Sequence, residues 1–393
     1  MRDDPMPFDL IHIIILGGVA LITTLALVPL SKWASAKLNA VDYPSDRRIN
    51  AYPVPRLGGL ALFGGLLVAM VFEYVGETVF GWQGFFQDSS PHGINFPLML
   101  CGVACMVLVG AIDDVRKLHP GFKFAGQILA ALIIAFSGVQ LSEIRNPLGN
   151  TLIDFGWFAY PLTILYLVAF ANIINLIDGL DGLASGVVGI AALGLLVIAF
   201  AKGRIEVAVL AIILVGICLG FLRYNYHPAS VYMGDSGALM LGTLLGIISL
   251  VGVMRSPTFI ALIVPIVLAG IPVVDTFLAI VRRIRRRKPV YQFDLDHLHH
   301  TLLKRGFHPQ QIVLILYAWT ALLTVGGIAI SNTYGITVYV LFALLAVVSI
   351  ALIVVLGLYD PVLRHFYNPR RKGAGEPTPD ETSRDSTNDR DDA

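Results

Sequence analysis

Apolar residues in this chain gather into long stretches, broken by short polar segments. An α-helix needs roughly 20 such residues to cross a hydrocarbon core of about 30 Å. Eleven stretches approach or exceed that length, at about 10–30, 57–75, 96–112, 122–138, 158–176, 183–201, 205–222, 237–254, 258–281, 311–330 and 334–357. Backbone polar groups in lipid must be satisfied within the spanning element. The pattern therefore predicts an all-α polytopic integral membrane protein of about 11 transmembrane helices. The first stretch is not read as a removable signal peptide, because Asp3, Asp4 and Asp9 precede it and no small-residue cleavage site follows. Residues 1–360 form the transmembrane domain, and 361–393, rich in Pro, Gly, Ser, Thr, Asp and Arg, read as a disordered cytoplasmic tail. No fixed-period internal repeat is evident.

Composition sharpens the class. Of 393 residues 56% are hydrophobic and only 14% charged, where a soluble domain carries about 25% charged residues. That excludes a soluble enzyme, a disordered chain and a nucleic-acid binder built on a basic surface. The net charge of +1 is uninformative, but its distribution is not. Twenty-three of the 28 lysines and arginines fall on one side of the predicted bundle, leaving Arg2, Arg145, Lys202, Arg204 and Arg255 on the other. By the positive-inside rule the N-terminus lies outside and the C-terminus in the cytoplasm. Cys101, Cys105 and Cys218 stand within apolar stretches and read as small buried apolar residues, with neither disulfide nor CxxC metal spacing.

Unusual polar residues cluster in the cytoplasmic segments. Asp113-Asp114 ends an apolar helix and is followed by Arg116, Lys117 and Lys123. Adjacent carboxylates there are costly without a metal, a base or a donor, although a solvated helix end is the plain alternative. Lys117 breaks the DDxxD spacing of isoprenoid synthases. Next, Asn172, Asn175 and Asp178 recur every third residue, so they share one face of a helix end. Asp178-Gly179-Leu180-Asp181-Gly182 then supplies carboxylates beside glycines that admit a ligand to the backbone. A helix-packing Asn before an Asp/Gly turn explains one such residue better than four. Further on, Tyr224-Asn225-Tyr226-His227-Pro228 leads into Met233-Gly234-Asp235-Ser236-Gly237. Asp235 alone would pass for an N-cap; beside three other carboxylate-bearing segments it reads as a ligand for Mg²⁺ or Mn²⁺, which favour oxygen donors. The basic run Arg282 to Lys288 anchors to head groups, while His297, His299 and His300 lack the HExxH spacing of a zinc protease and suit phosphate binding or proton shuttling.

Taken together, Arg56-Leu57-Gly58-Gly59, Asp113-Asp114, the Asn172-to-Ala184 segment, Met233-Gly234-Asp235-Ser236-Gly237 and His297-Leu298-His299-His300 resemble the polyprenyl-phosphate N-acetylhexosamine-1-phosphate transferases. The similarity runs from about Val41 to His300. Pro55-Arg56-Leu57-Gly58-Gly59 and the His-Leu-His-His run are nearer the branch that initiates surface glycans than the phospho-MurNAc-pentapeptide transferases of peptidoglycan synthesis, which usually show Pro-Thr-Met-Gly-Gly and three consecutive histidines. The resemblance implies transfer of N-acetylhexosamine-1-phosphate, GlcNAc-1-phosphate by preference, from a UDP-sugar to undecaprenyl phosphate with Mg²⁺, at the cytoplasmic face of a bacterial inner membrane. It implies Asn175 and Asp235 as metal ligands, and Asp113 or Asp114 as the group that poises the lipid phosphate. Asp178 and Asp181 would organise the nucleotide and metal. Arg56, Lys123, Asn172, Asn225, His297, His299 and His300 would bind substrate. Asp275 is a further candidate, or a partner of Arg282 or Arg283. A secondary transporter or flippase is the rival class. The implied partners are the UDP-sugar, the polyprenyl phosphate and membrane lipids, not nucleic acid, with a homodimer left open.

Overall fold

Eleven helices account for nearly all of the regular structure in the computed structural model, which describes residues 7–44, 52–82, 93–145, 151–255, 270, 273, 298–333 and 335–356. In chain order they are α1 (Pro7–Lys37), α2 (Gly58–Phe80), α3 (Phe96–Arg116), α4 (Pro120–Phe136), α5 (Ala159–Ile177), α6 (Leu183–Ala201), α7 (Ile205–Asn225), α8 (Gly234–Arg255), α9 (Leu298–Lys304), α10 (Pro309–Ser331) and α11 (Ile336–Val355). Among the described residues nine are long and apolar enough to cross a membrane. Helix α4, at 17 residues, is shorter. The stretch at about 258–281, Asp275, the basic run from Arg282 and the tail beyond 356 lie outside the described residues. The all-α polytopic expectation holds. The expected eleven spans become nine plus one short helix and one undescribed stretch.

Layering follows side-chain size. Helix α8 is apolar on all sides and carries Gly, Ala, Ser and Thr between its larger residues, so neighbours approach closely. It is almost wholly buried, with α2, α3 and α5 packed around it. Helix α7 joins α1 and α6 on another flank, and α10 packs on α6. Helix α11 is equally apolar but dominated by bulky β-branched and aliphatic residues, and it buries none of them. It forms an outer wall suited to lipid.

Three local readings change. Helix α2 continues to Phe80, past the expected end at 75, and carries Glu73 and Glu77 into the buried interior. Glu73 lies 2.5 Å from the Nε2 of buried His12, whose ring meets Trp82 at 4.4 Å between centroids. These acidic residues belong to helix packing. The cysteines are not uniformly buried either: Cys218 is, Cys105 is partly so, and Cys101 faces outward. Two antiparallel ribbons also occur in the connections, β1 (Val41–Asp42) with β2 (Val54–Pro55) and β3 (Glu143–Arg145) with β4 (Leu152–Asp154). The first ribbon delivers Arg56 to the end of the bundle where α3 stops and α8 starts.

Candidate active site

The first turn of α8 is the organising point. A helix start leaves backbone N–H groups without partners, and here Asp114 of α3 takes them. One carboxylate oxygen accepts from Asp235 N at 2.9 Å, and the other accepts from Ser236 N at 3.1 Å and Ser236 Oγ at 2.9 Å. The Asp114 side chain is wholly buried, with an Arg56 guanidinium nitrogen 3.6 Å away. Gly234 has φ +67, and a Cβ there would strike both Asp114 and the Arg56 carbonyl, which only glycine avoids. The start of α2 closes the other side, with Gly58 N donating to Tyr232 O at 3.0 Å and Gly59 N to Met233 O at 2.9 Å. A Cβ on Gly59 would collide with Gly237 N and Ser236. The Arg-Leu-Gly-Gly and Met-Gly-Asp-Ser-Gly segments are thus two halves of one joint.

Asp113, one position earlier on α3, faces elsewhere. Its Oδ1 accepts from Leu118 N at 2.7 Å, and its Oδ2 accepts from the Lys123 ammonium at 3.1 Å. The same ammonium is hydrogen-bonded to Asp235 Oδ2. Asn175 of α5 donates its amide to Asp235 Oδ1 at 3.0 Å. Helices α3, α4, α5 and α8 therefore converge on a lysine held between two carboxylates, each of these side chains being only about one-fifth exposed or less.

Asp178 and Asp181 flank the turn between α5 and α6. Burial, then the charges of Asp235 and Asp114, push the Asp178 carboxyl up to about 8. Asp181 Oδ2 accepts from Ala229 N at 3.0 Å and lies 2.8 Å from His227 Nδ1. Asn225 is buried and fixes this turn: its Oδ1 accepts from Gly182 N at 3.1 Å, while its Nδ2 donates to Val231 O at 3.0 Å. Tyr317 of α10 donates its hydroxyl to Gly182 O at 2.5 Å.

Five carboxylates thus stand at one end of the bundle beside two fixed cations, Lys123 and Arg56. The sequence profile described as glycosyl transferase family 4 matches residues 96–253, which span both aspartate pairs and the start of α8. A probable undecaprenyl-phosphate N-acetylglucosaminyl 1-phosphate transferase of Bacillus subtilis is 33% identical over 337 residues, covering 86% of this chain and 90% of that protein. The chain belongs to glycosyl transferase family 4. A decaprenyl-phosphate N-acetylglucosaminephosphotransferase of Mycobacterium tuberculosis is 34% identical over 331 residues, 78% of this chain and 80% of its own. A phospho-N-acetylmuramoyl-pentapeptide-transferase of Halalkalibacterium halodurans is 33% identical over 297 residues, 72% of this chain and 84% of its own.

In this family 4 chain the structure brings together Arg56, Asp113, Asp114, Lys123, Asn175 and Asp235, with Asp178 within electrostatic reach of them. Two residues expected to bind substrate make hydrogen bonds within the protein. Asn172 exchanges amide hydrogen bonds with Gln127 of α4, at 2.7 and 3.5 Å, and donates to Val168 O at 2.8 Å. Asn225 is spent on the turn already described. His297 and the side chains of His299 and His300 lie outside the described residues. The sequence reading missed His227, Ser236 and Tyr317. His227 and Ser236 stand inside quoted segments, but Tyr317 sits in an apolar stretch with no signal beyond its hydroxyl.

The donor set also bears on a metal ion. Among the described residues no three His, Cys, Asp or Glu side chains group as a metal site. Magnesium is ordinarily held by one or two carboxylates plus substrate phosphate oxygens. Asp235 and the amide oxygen of Asn175 fit that pattern, and the Lys123 ammonium marks the place as one that holds positive charge.

Proposed function

We propose that this protein transfers an N-acetylhexosamine-1-phosphate, GlcNAc-1-phosphate by preference, from its UDP-sugar to undecaprenyl phosphate. The products are the undecaprenyl-diphospho-sugar and UMP, and the reaction opens the assembly of a surface glycan. The carrying observation is the Lys123 ammonium lodged between Asp113 and Asp235 at a convergence of four helix ends, in a chain whose relatives are named for this transfer to polyprenyl phosphates.

Balanced, the step is one displacement at phosphorus. An oxygen of the lipid phosphate attacks the β-phosphorus of the UDP-sugar, and a new P–O bond forms. The bond from that phosphorus to the bridging oxygen breaks, and its electron pair leaves on UMP. Little covalent work falls to the protein, so positioning and charge dominate. Lys123 holds phosphate oxygens, and Asp113, the less buried of the adjacent pair, receives the proton of a singly protonated lipid phosphate. Asp114 instead fixes the start of α8 and so the place of Asp235. Arg56 adds positive charge on the opposite side. Asp178, which holds its proton up to about 8, takes on negative charge once cationic charge arrives beside it. Magnesium, held by Asp235 and Asn175, would offset diphosphate charge and make UMP a better leaving group.

The reading sets the active end at the cytoplasmic face of a bacterial inner membrane, because the lysines and arginines crowd the segments that carry the motifs. A soluble nucleotide sugar meets a lipid phosphate only at such a surface. The test is transfer of radiolabel from a panel of UDP-sugars into butanol-extractable lipid by purified protein in detergent with undecaprenyl phosphate. UDP-GlcNAc is expected to label lipid and release UMP. Labelling from UDP-MurNAc-pentapeptide alone would replace this reading with the peptidoglycan reaction, and no labelling from any donor would end it. Full turnover after exhaustive chelation would remove the metal.

A further inference from the structure

Asp181 and His227 form a pair at the edge of the active end that the transfer chemistry above leaves unused. The Asp181 Oδ2 atom that meets His227 Nδ1 at 2.8 Å also accepts the Ala229 N–H at 3.0 Å. An oxygen already accepting one hydrogen serves as acceptor to the imidazole too, so the shared hydrogen sits on Nδ1. Neutral imidazole has one donor and one acceptor nitrogen, which leaves Nε2 with an open lone pair. No described residue hydrogen-bonds that nitrogen, and the side chain is 29% exposed. The ring is not free to wander. His308, at the start of α10, meets it edge-on at 6.1 Å between centroids. Asn225 and Tyr317 pin Gly182, next to Asp181, from both sides. Asp181 also lies near enough to Asp178 for their charges to interact, so this rim borders the catalytic cluster.

We propose that His227 is a donor-positioning residue, oriented by Asp181, whose Nε2 accepts a hydrogen bond from an O–H or N–H of the sugar nucleotide. An acceptor nitrogen repels phosphate oxygens, so it suits the hydroxyl-bearing or amide-bearing parts of the donor and not its diphosphate. Asp181 then acts through His227. The inference rests on the transfer reaction proposed above.

Steady-state kinetics in detergent, with both substrates varied, test it. In His227→Asn the amide reaches the place of Nδ1 and keeps Asp181, but the acceptor at Nε2 is gone. The donor KM is expected to rise about tenfold, the loss of one good hydrogen bond, with kcat within about threefold and the lipid phosphate KM unchanged. His227→Gln, which puts a carbonyl near the place of Nε2, recovers part of that loss. Asp181→Asn can donate to Nδ1 and so drive the hydrogen onto Nε2; it is expected to match His227→Asn, and the double variant to be no worse than either. Inhibition by UMP assigns the contact: weakened in His227→Asn it lies on the nucleoside, unchanged it lies on the amino sugar. A donor KM within twofold of wild type in both His227 variants, an equal rise in the lipid KM, or multiplying losses in the double variant would overturn the proposal. Wild type that labels no lipid from any UDP-sugar overturns the parent reading with it, whereas an active wild type with indifferent variants overturns this inference alone.

Discussion

Asp114→Asn is the sharpest test of how the site is held. The carboxylate is wholly buried and accepts from Asp235 N, Ser236 N and Ser236 Oγ at 2.9, 3.1 and 2.9 Å. Asparagine has the same shape but only one acceptor oxygen. If that oxygen stays with Ser236, the new NH₂ confronts the Asp235 N–H and Arg56; if it turns to Asp235, two Ser236 donors are orphaned. Either way at least one buried donor loses its partner, at about 1–3 kcal/mol. Loss of negative charge at a helix start adds about 0.3–1 kcal/mol. A total of about 1.3–4 kcal/mol is expected, which is about 10- to 1000-fold in rate if it falls on the placement of Asp235. Thermal unfolding in detergent and turnover of UDP-GlcNAc should therefore fall together. Asp113→Asn should separate them: that side chain is 16% exposed, and its bond from Leu118 N survives in the amide, so turnover drops while unfolding hardly moves. Asp114→Asn protein with wild-type unfolding and turnover within threefold would refute the claim that this residue builds the first turn of α8.

Lys123→Met removes the ammonium from between Asp113 and Asp235; at about 1.5–3 kcal/mol for each charge-assisted bond, turnover should fall at least about 100-fold, as read by lipid labelling. Gln127→Leu and Asn172→Leu should each lower stability by about 0.6–1.7 kcal/mol, the range for polar contacts between membrane helices, leave the donor KM unchanged and give a non-additive double-mutant cycle; a donor KM raised tenfold in Asn172→Leu would return that residue to the substrate. Gly59→Ala should push α2 off the α8 start and cost both stability and turnover, because a methyl has no room against Gly237 and Ser236. Chelated protein should lose stability as pH rises from about 4 through 8, since the folded state holds the Asp178 proton up to about 8 while an unfolded Asp releases it near 3.9. Added Mg²⁺ should then raise the unfolding temperature more at pH 8.5 than at pH 6, and an equal rise at both would count against metal at this cluster.

What the sequence made legible, and what it did not, divides by the range of the interactions. Membrane stretches are local runs of apolar residues, so their places and most of their lengths read directly from the chain. Convergence of the polar segments on one end was legible too, because helices of similar length alternate direction and bring every second connection together. Partners were not. Asp113 and Asp114 are neighbours with the same side chain, and sequence reading left them interchangeable. A step of one residue turns about 100° around a helix, enough to point one at Lys123 on α4 and the other at the start of α8. Which helix stands on which side is decided by packing between residues far apart in the chain, 121 positions in the case of Asp114 and Asp235. The same limit hid the partner of Asn172. An Asn near a motif looks like a ligand-binding group until Gln127, 45 positions away, is seen to satisfy its amide. It also hid His227, whose meaning depends wholly on Asp181 across the turn. The second apolar stretch was expected to end at 75 because the carboxylates Glu73 and Glu77 interrupt it. Burial against α1, with His12 within 2.5 Å of Glu73, lets the helix run on through them. In each case the residue type announced that a partner was needed, since an unsatisfied polar group in this interior is costly. Only the fold could say whether that partner was the protein itself, as for Asp114, Asn172 and Asn225, or a group still open to a ligand, as for His227 Nε2.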